Sequence, residues 1–410
     1  MTEQSSETTQ PPAGGMPTTE CPACGNHVPP GVYCGACGHH LALHLDGAAP
    51  GFRAHSYAAA PGEHVLRLSI VSTLFPHLPH RSRAPFRIAV VLLVLGLVVL
   101  AALRLQAPMI ALAALGVPVV FELYLQESDV YEDLPIKLLA IVAVLGAALG
   151  WGWAALTEHR VSDSLATNLL GQAPASHFWI DGVLIPAAAG LLMLVPTGIA
   201  YALKPPHADE SMDGFLIGSL AAVAFTAAST ITRLAPQLTT GIVAHDRPVE
   251  SIVVEALLQG GTLPVTAAGM GGIVGAALWV RRSSQSGHLG RWLATARLMV
   301  PVAVVLFAVL GIIDYEQPPQ WTLLGLHAVV AVIALLLLRY GLHAVLLHEE
   351  HEVTIGAPRV CPHCEQVVPS MPFCPHCGYA HRAASRAARE RLALGPAVAR
   401  DVAGSEESSS

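Results

Sequence analysis

Charge is scarce in this chain. Only 12% of its 410 residues are Asp, Glu, Lys or Arg, and only 6% are aromatic. Lysine is almost missing, with Lys137 and Lys204 set against twenty arginines (22 − 2). A soluble domain carries about 25% charged residues. This chain has about half of that, while 53% of it is hydrophobic and its mean hydropathy is +0.53. The composition excludes an ordinary soluble globular protein and points to a membrane protein. No apolar run stands between Met1 and Glu20, so no secretory signal peptide is expected. No glycine-rich phosphate loop occurs. His348 is followed at the fourth position by Glu352, so a His-Glu-x-x-His zinc-protease site is excluded there.

The chain has eight cysteines, and two copies of one pattern hold them all. The first is Cys21-Pro-Ala-Cys24 with Cys34-Gly-Ala-Cys37. The second is Cys361-Pro-His-Cys364 with Cys374-Pro-His-Cys377. Nine residues separate the hooks in both. Four thiolates at about 2.3 Å from one ion make a closed tetrahedral structural site. A module of about twenty residues buries too little to fold alone, so metal binding must supply its folding energy. Gly25, Gly38 and Gly378 follow the second cysteine of a hook, where a left-handed turn aims amides at sulfur. Glu365 breaks this pattern, and a looser turn is expected there. Tyr33 and Phe373 precede the third cysteines and are placed to cover the sites.

Residues 21–38 and 361–378 resemble the short zinc-ribbon family. The resemblance implies two zinc ions, one on each cysteine set. Rubredoxin-like iron remains open, because spacing alone does not separate the two metals. Disulfides would need an oxidising compartment. Neither copy contains Lys or Arg, so no nucleic-acid partner is expected. Protein contact or self-association through the ribbons is the expected use, with homo-oligomers as one form of it.

A helix needs about 20 apolar residues to cross the hydrocarbon. Eight stretches qualify: 86–105, 108–125, 137–157, 178–203, 214–234, 262–280, 293–313 and 322–347. The stretch 249–260 reads as an amphipathic interfacial helix, broken from the sixth span at Gly260-Gly261-Thr262-Leu263-Pro264. With eight spans both ends share a side. Arg81, Arg83, Arg87, Lys137, Lys204, Arg281, Arg282, Arg291 and Arg339 would flank the inner face. Arg104, Arg160, Arg233 and Arg247 would flank the outer. The bias predicts cytoplasmic termini in a bacterial inner membrane. Cytoplasmic thiolates also stay reduced for a metal.

The expected order is a disordered tail (1–20), ribbon one (21–40), a linker (41–84), a membrane bundle (85–348), ribbon two (359–381) and a mostly disordered tail (382–410) with a short helical Ala/Arg start. The fold class is an all-α polytopic membrane protein with about eight transmembrane helices and two small zinc ribbons.

Ionisable residues inside spans are functional candidates. Glu122, Asp181, Arg297, His327 and His343 qualify. Glu122 is placed to pair with Arg87 or Lys137, and His327 reads as a hydrogen-bonded packing residue rather than a ligand. The run Glu122 to Pro135, with Asp129, Tyr131, Glu132 and Asp133, resembles the acidic loop of PrsW-type intramembrane proteases. Asp213-Gly214-Phe215 with Gly218, and then Ala224-Phe225 to Ser229, resembles a further helix of that family. The resemblance covers about 115–280. It places the family's catalytic glutamate pair at Ala187-Ala188-Ala189 and its second glutamate at Ser229, and span six has no histidine. Alanine takes no proton, and serine without a base is a poor nucleophile. A non-catalytic relative is therefore expected, with no catalytic residue. The alternatives are an active protease using Glu122 and Asp129, and a small-solute transporter whose broken sixth segment lines a path.

Overall fold

The structure is a computed structural model of the chain. It describes residues 17–22, 24–41, 57–76, 78, 83–128, 134–169, 177–203, 208, 210–238, 248–280, 289–348, 355–386 and 389–390. One strand pair precedes a helical bundle in the sequence and a second follows it. The first pair is β1 (Thr19–Glu20) with β2 (His27–Val28). The bundle comprises α1 (Ile70–Leu74), α2 (Arg83–Ala102), α3 (Gln106–Glu127), α4 (Ile136–Leu169), α5 (Phe178–Leu203), α6 (Ser211–Leu238), α7 (Val249–Trp279), α8 (Leu289–Glu316) and α9 (Gln320–His348). The second pair is β3 (Gly356–Val360) with β4 (Val367–Ser370).

The long helices form because hydrocarbon cannot satisfy backbone amides and carbonyls, so each segment must satisfy its own. Seven of them are long and apolar enough to cross a membrane, and the apolar part of α2, Phe86–Ala102, is shorter. The whole of α2 has 20 residues, a rise of about 30 Å. The two ribbons touch each other, so both lie on one side of the bundle.

The centre of the bundle is α6, packed between α4 and α7. Small residues set this crossing. A Cβ on Gly218 would overlap the carbonyl of Gly271, and one on Gly275 would overlap that of Gly214. On the other face, a Cβ on Gly150 would overlap the carbonyl of Phe225. Backbones can approach this closely only without side chains between them. Ser219 adds a bond across the crossing, its hydroxyl donating to Ala268 O at 3.1 Å.

The sixth span differs from the sequence expectation. Residues 249–260 do not lie apart as an interfacial helix. They continue into the span through a π-helical turn, Leu258–Thr262, which absorbs the Gly260-Gly261 pair without a break. Ile252 and Ala256 are buried with Leu97 and Ala101 of α2 and with Met109, Ile110 and Ala113 of α3. A second π-helical turn, Phe178–Leu184, opens α5.

The expected linker also differs. Where it is described, it is a folded cap on the bundle. Tyr57 and Ala60 form a β-bridge, α1 follows, and Tyr57, Ala58, Ala59, Ala60, Val65, Phe75 and Leu78 are buried. Phe75 packs among Phe86, Phe121 and Tyr124 at the start of α2 and the end of α3. The cap shows no sequence period because turns and single contacts hold it, not a repeating face. Of the two tails, residues 1–16 and 391–410 lie outside the described residues.

Candidate metal centre and its seat on the bundle

The four sulfurs of each ribbon converge. In ribbon one, Cys21 and Cys37 Sγ atoms are 3.8 Å apart, as are those of Cys24 and Cys34. In ribbon two the pairs Cys361–Cys377 and Cys364–Cys374 are both at 3.8 Å. All four atoms of a set lie within 4.8 Å of one another. A tetrahedron with metal–sulfur bonds of about 2.3 Å has edges of about 3.8 Å. A disulfide would bring two sulfurs to about 2.05 Å, and all eight cysteines are free. The donor set therefore fits one tetrahedral ion per ribbon. Among the described residues, these are the two groups of three or more Cys, His, Asp or Glu side chains able to hold a metal.

Local backbone geometry explains the convergence. Each hook closes a turn whose last amide returns to its first cysteine. Gly25 N donates to Cys21 O at 2.8 Å and Gly378 N to Cys374 O at 2.8 Å. Glu365 N donates to Cys361 O at 2.9 Å. Its φ is +59°, beside +72° at Gly25 and +75° at Gly378. The turn at Glu365 is thus not looser: the side chain accepts a left-handed conformation that costs about 1–2 kcal/mol. In each ribbon one thiol is held low while its neighbours are pushed up: Cys34 against Cys37, and Cys374 against Cys361 and Cys377. The Cys37 thiol, helped by the Cys37 and Ala36 amides, holds Cys34 down to about 5 against burial. The thiols of Cys361 and Cys377 push Cys374 down, while Cys374 is first among the groups raising Cys361 to about 12. An ion in the site would replace these shared protons.

The ribbons are paired with each other. Copy two follows copy one by 340 positions (361 − 21), so Tyr33 corresponds to Phe373 and Gly35 to Pro375. Tyr33 N donates to Pro375 O at 2.9 Å, and Phe373 N donates to Gly35 O at 2.8 Å. The two bonds are related by a pseudo-twofold exchange. The aromatic rings follow: a Cβ on Gly378 would sit 2.8 Å from the Tyr33 ring, and one on Gly38 would sit 3.0 Å from the Phe373 ring. Each ring thus covers the hook of the opposite ribbon, where sequence reasoning placed it on its own. Met371 breaks the symmetry. It occupies the position of Gly31 and is buried with Cys21, Val28, Cys34 and Ala36 of ribbon one.

Ribbon two is seated on the cap, and the cap on α9. Ala380 N donates to Ala58 O at 2.9 Å. Ala58 N donates to His343 Nδ1 at 3.1 Å. Arg339, 1% exposed, reaches from α9 into the cap. It donates to Glu63 Oε2 at 2.8 Å, Ser72 Oγ at 2.8 Å, Thr73 Oγ1 at 3.2 Å and His64 O at 3.3 Å. Its guanidinium lies 4.0 Å from the centre of the Tyr57 ring. Beyond ribbon two, Arg386 contacts Asp213 at 3.3 Å and Arg389 grips Glu210 at 2.6 and 2.7 Å, at the start of α6. His381, buried beside this seat, is lowered to about 3 by burial first and then by Arg359.

The remaining sequence candidates are not brought together. Glu122 accepts from Gln126 at 3.1 Å on an exposed face. Asp129 and the side chain of Arg297 lie outside the described residues. Asp181 is in the π-helical turn of α5, 3.9 Å from His177 Nδ1. The Ser229 hydroxyl donates to Thr226 O within its own helix at 3.0 Å. His327 pairs with Asp314 at 2.9 Å, a packing bond rather than a metal site. Sequence reasoning missed the seat, Ala58, Glu63, Arg339, His343 and Met371 together. An arginine within the last apolar span, towards its end, was the available signal. No family model matches this chain, and no curated protein or solved structure matches it either.

Proposed function

We propose that the chain is a non-catalytic multi-pass protein of a bacterial inner membrane. In this reading it shares its fold with PrsW-type proteases and has lost their acids. Both termini are cytoplasmic, each ribbon holds zinc, and the joined ribbons form one docking or self-association module. The observation that carries the non-catalytic part is the contact between α6 and α7 through Gly214, Gly218, Gly271 and Gly275. Hydrolysis by paired carboxylates needs space for a water and a peptide. Backbone against backbone leaves none at that crossing. Described acids on the spans, such as Glu122, Asp181, Glu255 and Asp314, stand towards helix ends instead. Inner-flank arginines and reduced thiolates support the cytoplasmic side.

Four measurements test this. Purified protein in reducing, metal-replete buffer should hold about two zinc ions per chain. Reporter fusions at residues 20 and 400 should both read as inside. The protein reconstituted with membrane-peptide libraries should cleave nothing. Cross-linked copies or a co-purified partner should depend on intact ribbons. Cleavage that disappears with Glu122→Gln or Asp129→Asn would contradict the non-catalytic reading.

A further inference from the structure

The contacts run in one order: ribbon one rests on ribbon two, ribbon two on the cap, and the cap on α9. We infer that metal loading of ribbon two latches the cap onto the inner end of α9, and that ribbon one is a passenger. The inference rests on the ribbons binding metal and concerns what that metal holds in place.

Ala58 is the joint. Its carbonyl accepts from Ala380 of ribbon two, and its amide donates to His343 of α9. One peptide residue is thus bonded to the metal module on one side and to a membrane helix on the other. Side chains agree with this order. Cys361, Phe373, Cys374, Tyr379 and Ala380 share a continuous buried core with Tyr57, Ala58 and the bundle. Among the described residues, none of ribbon one joins that core. Its own cluster contains Cys21, Val28, Cys34, Ala36 and, from outside, Met371 of ribbon two.

Ribbon two is too small to keep its shape without its ion. Its unfolding would remove the Ala380 bond and the apolar cover over Tyr57 and Ala58. The cap would keep the Arg339–Glu63 group, the Ala58–His343 bond and, at the far end of its segment, the packing of Phe75 among Phe86, Phe121 and Tyr124. The ion pair adds little net stability once its surroundings open to water, and Phe75 does not hold the Tyr57–Ala58 end. Release of the cap would then uncover Arg339 and His343 at the inner mouth of the bundle. Loss of metal from ribbon one removes the Tyr33 lid and the two paired backbone bonds, but it leaves the Ala380–Ala58 bond and the metal of ribbon two, so the cap should stay in place.

Hydrogen exchange of the full chain in detergent micelles tests the order of these contacts, followed on peptides spanning residues 57–76. Stripping metal from the wild-type protein with a chelator should speed exchange there about tenfold or more, and added zinc should restore protection. Cys34→Ser should leave cap exchange within about threefold of wild type, while Cys374→Ser should match the stripped protein. Metal content is measured on the same samples. Wild type that holds no metal overturns both the latch and the metal reading. Wild type that holds two ions, yet keeps its cap protected after stripping, overturns the latch alone. Equal loosening by Cys34→Ser and Cys374→Ser would overturn the stated order.

Discussion

The amide of Tyr33 donates to the carbonyl of Pro375 at 2.9 Å, joining residues from opposite ends of the chain. This bond and its counterpart at Phe373 turn two marginal modules into one unit. A lone ribbon leaves its aromatic residue and hook glycine open to water. Paired, each ribbon supplies the apolar lid of the other. The arrangement also closes the polypeptide around the membrane bundle, because ribbon two stands on the cap that α9 holds.

Substitutions at the hook glycines should separate strain from pairing. Gly25→Ala meets nothing within 4 Å, so it should cost only the left-handed penalty, about 1–2 kcal/mol. Gly378→Ala adds a methyl 2.8 Å from the Tyr33 ring and should cost clearly more. Glu365→Gly should stabilise ribbon two by about 1 kcal/mol. Chelator competition on the full chain reads all three as metal affinity.

Met371→Ala should damage the ribbon to which Met371 does not belong. Deleting a buried methionine costs about 2–5 kcal/mol, and here the cavity opens beside Cys21 and Cys34. Metal should leave ribbon one at least about tenfold more readily, since tenfold is about 1.4 kcal/mol. Cysteine alkylation mapped by mass spectrometry would show which thiols become reactive first. Earlier labelling of Cys361 and Cys364 would argue against this packing.

Removing one partner of the buried pair Arg339–Glu63 should cost about 3–5 kcal/mol. Glu63→Ala should therefore loosen the cap even with both ribbons loaded. The double change Glu63→Leu with Arg339→Met should recover much of the loss, since an apolar pair leaves no charge unmatched. Thermal unfolding and limited proteolysis near residue 63 provide the comparison.

Acid should weaken the seat of ribbon two through His381. Its folded value is lowered to about 3, against 6.5 for the free side chain. Between those values the unfolded chain binds a proton that the folded chain refuses, so stability falls as pH drops below about 6.5. At pH 5 the loss should be about 2 kcal/mol relative to pH 7. His381→Phe should remove that increment. Stability of the two proteins across pH 7 to 4.5 tests this, and parallel curves would contradict it.

The sequence was informative where a physical rule acts on neighbouring residues. The cysteine spacing located both four-sulfur clusters, because a hook is a local turn. The apolar runs located seven helices long and apolar enough to cross a membrane and the shorter Phe86–Ala102, because hydrocarbon demands about 20 residues at a time. Residues 249–260 misled, because polar Glu255 and two glycines read as a break while a π-helical turn carries the helix through. The cap misled because Arg339 was counted as an inner-flank charge, and only three-dimensional packing brings Glu63 to it. The pairing of the ribbons was invisible for the same reason. Identical spacing says that two modules are alike and nothing about whether they meet.

The central claim is that the two ribbons meet within one chain. A photo-crosslinking phenylalanine analogue at position 33 tests it most directly, in the full-length protein with metal bound. The account requires a crosslink to residues 375–379 of the same chain, with a yield independent of protein concentration and lost on chelation. Crosslinks that form only between chains, or none to ribbon two in metal-loaded protein, would contradict it.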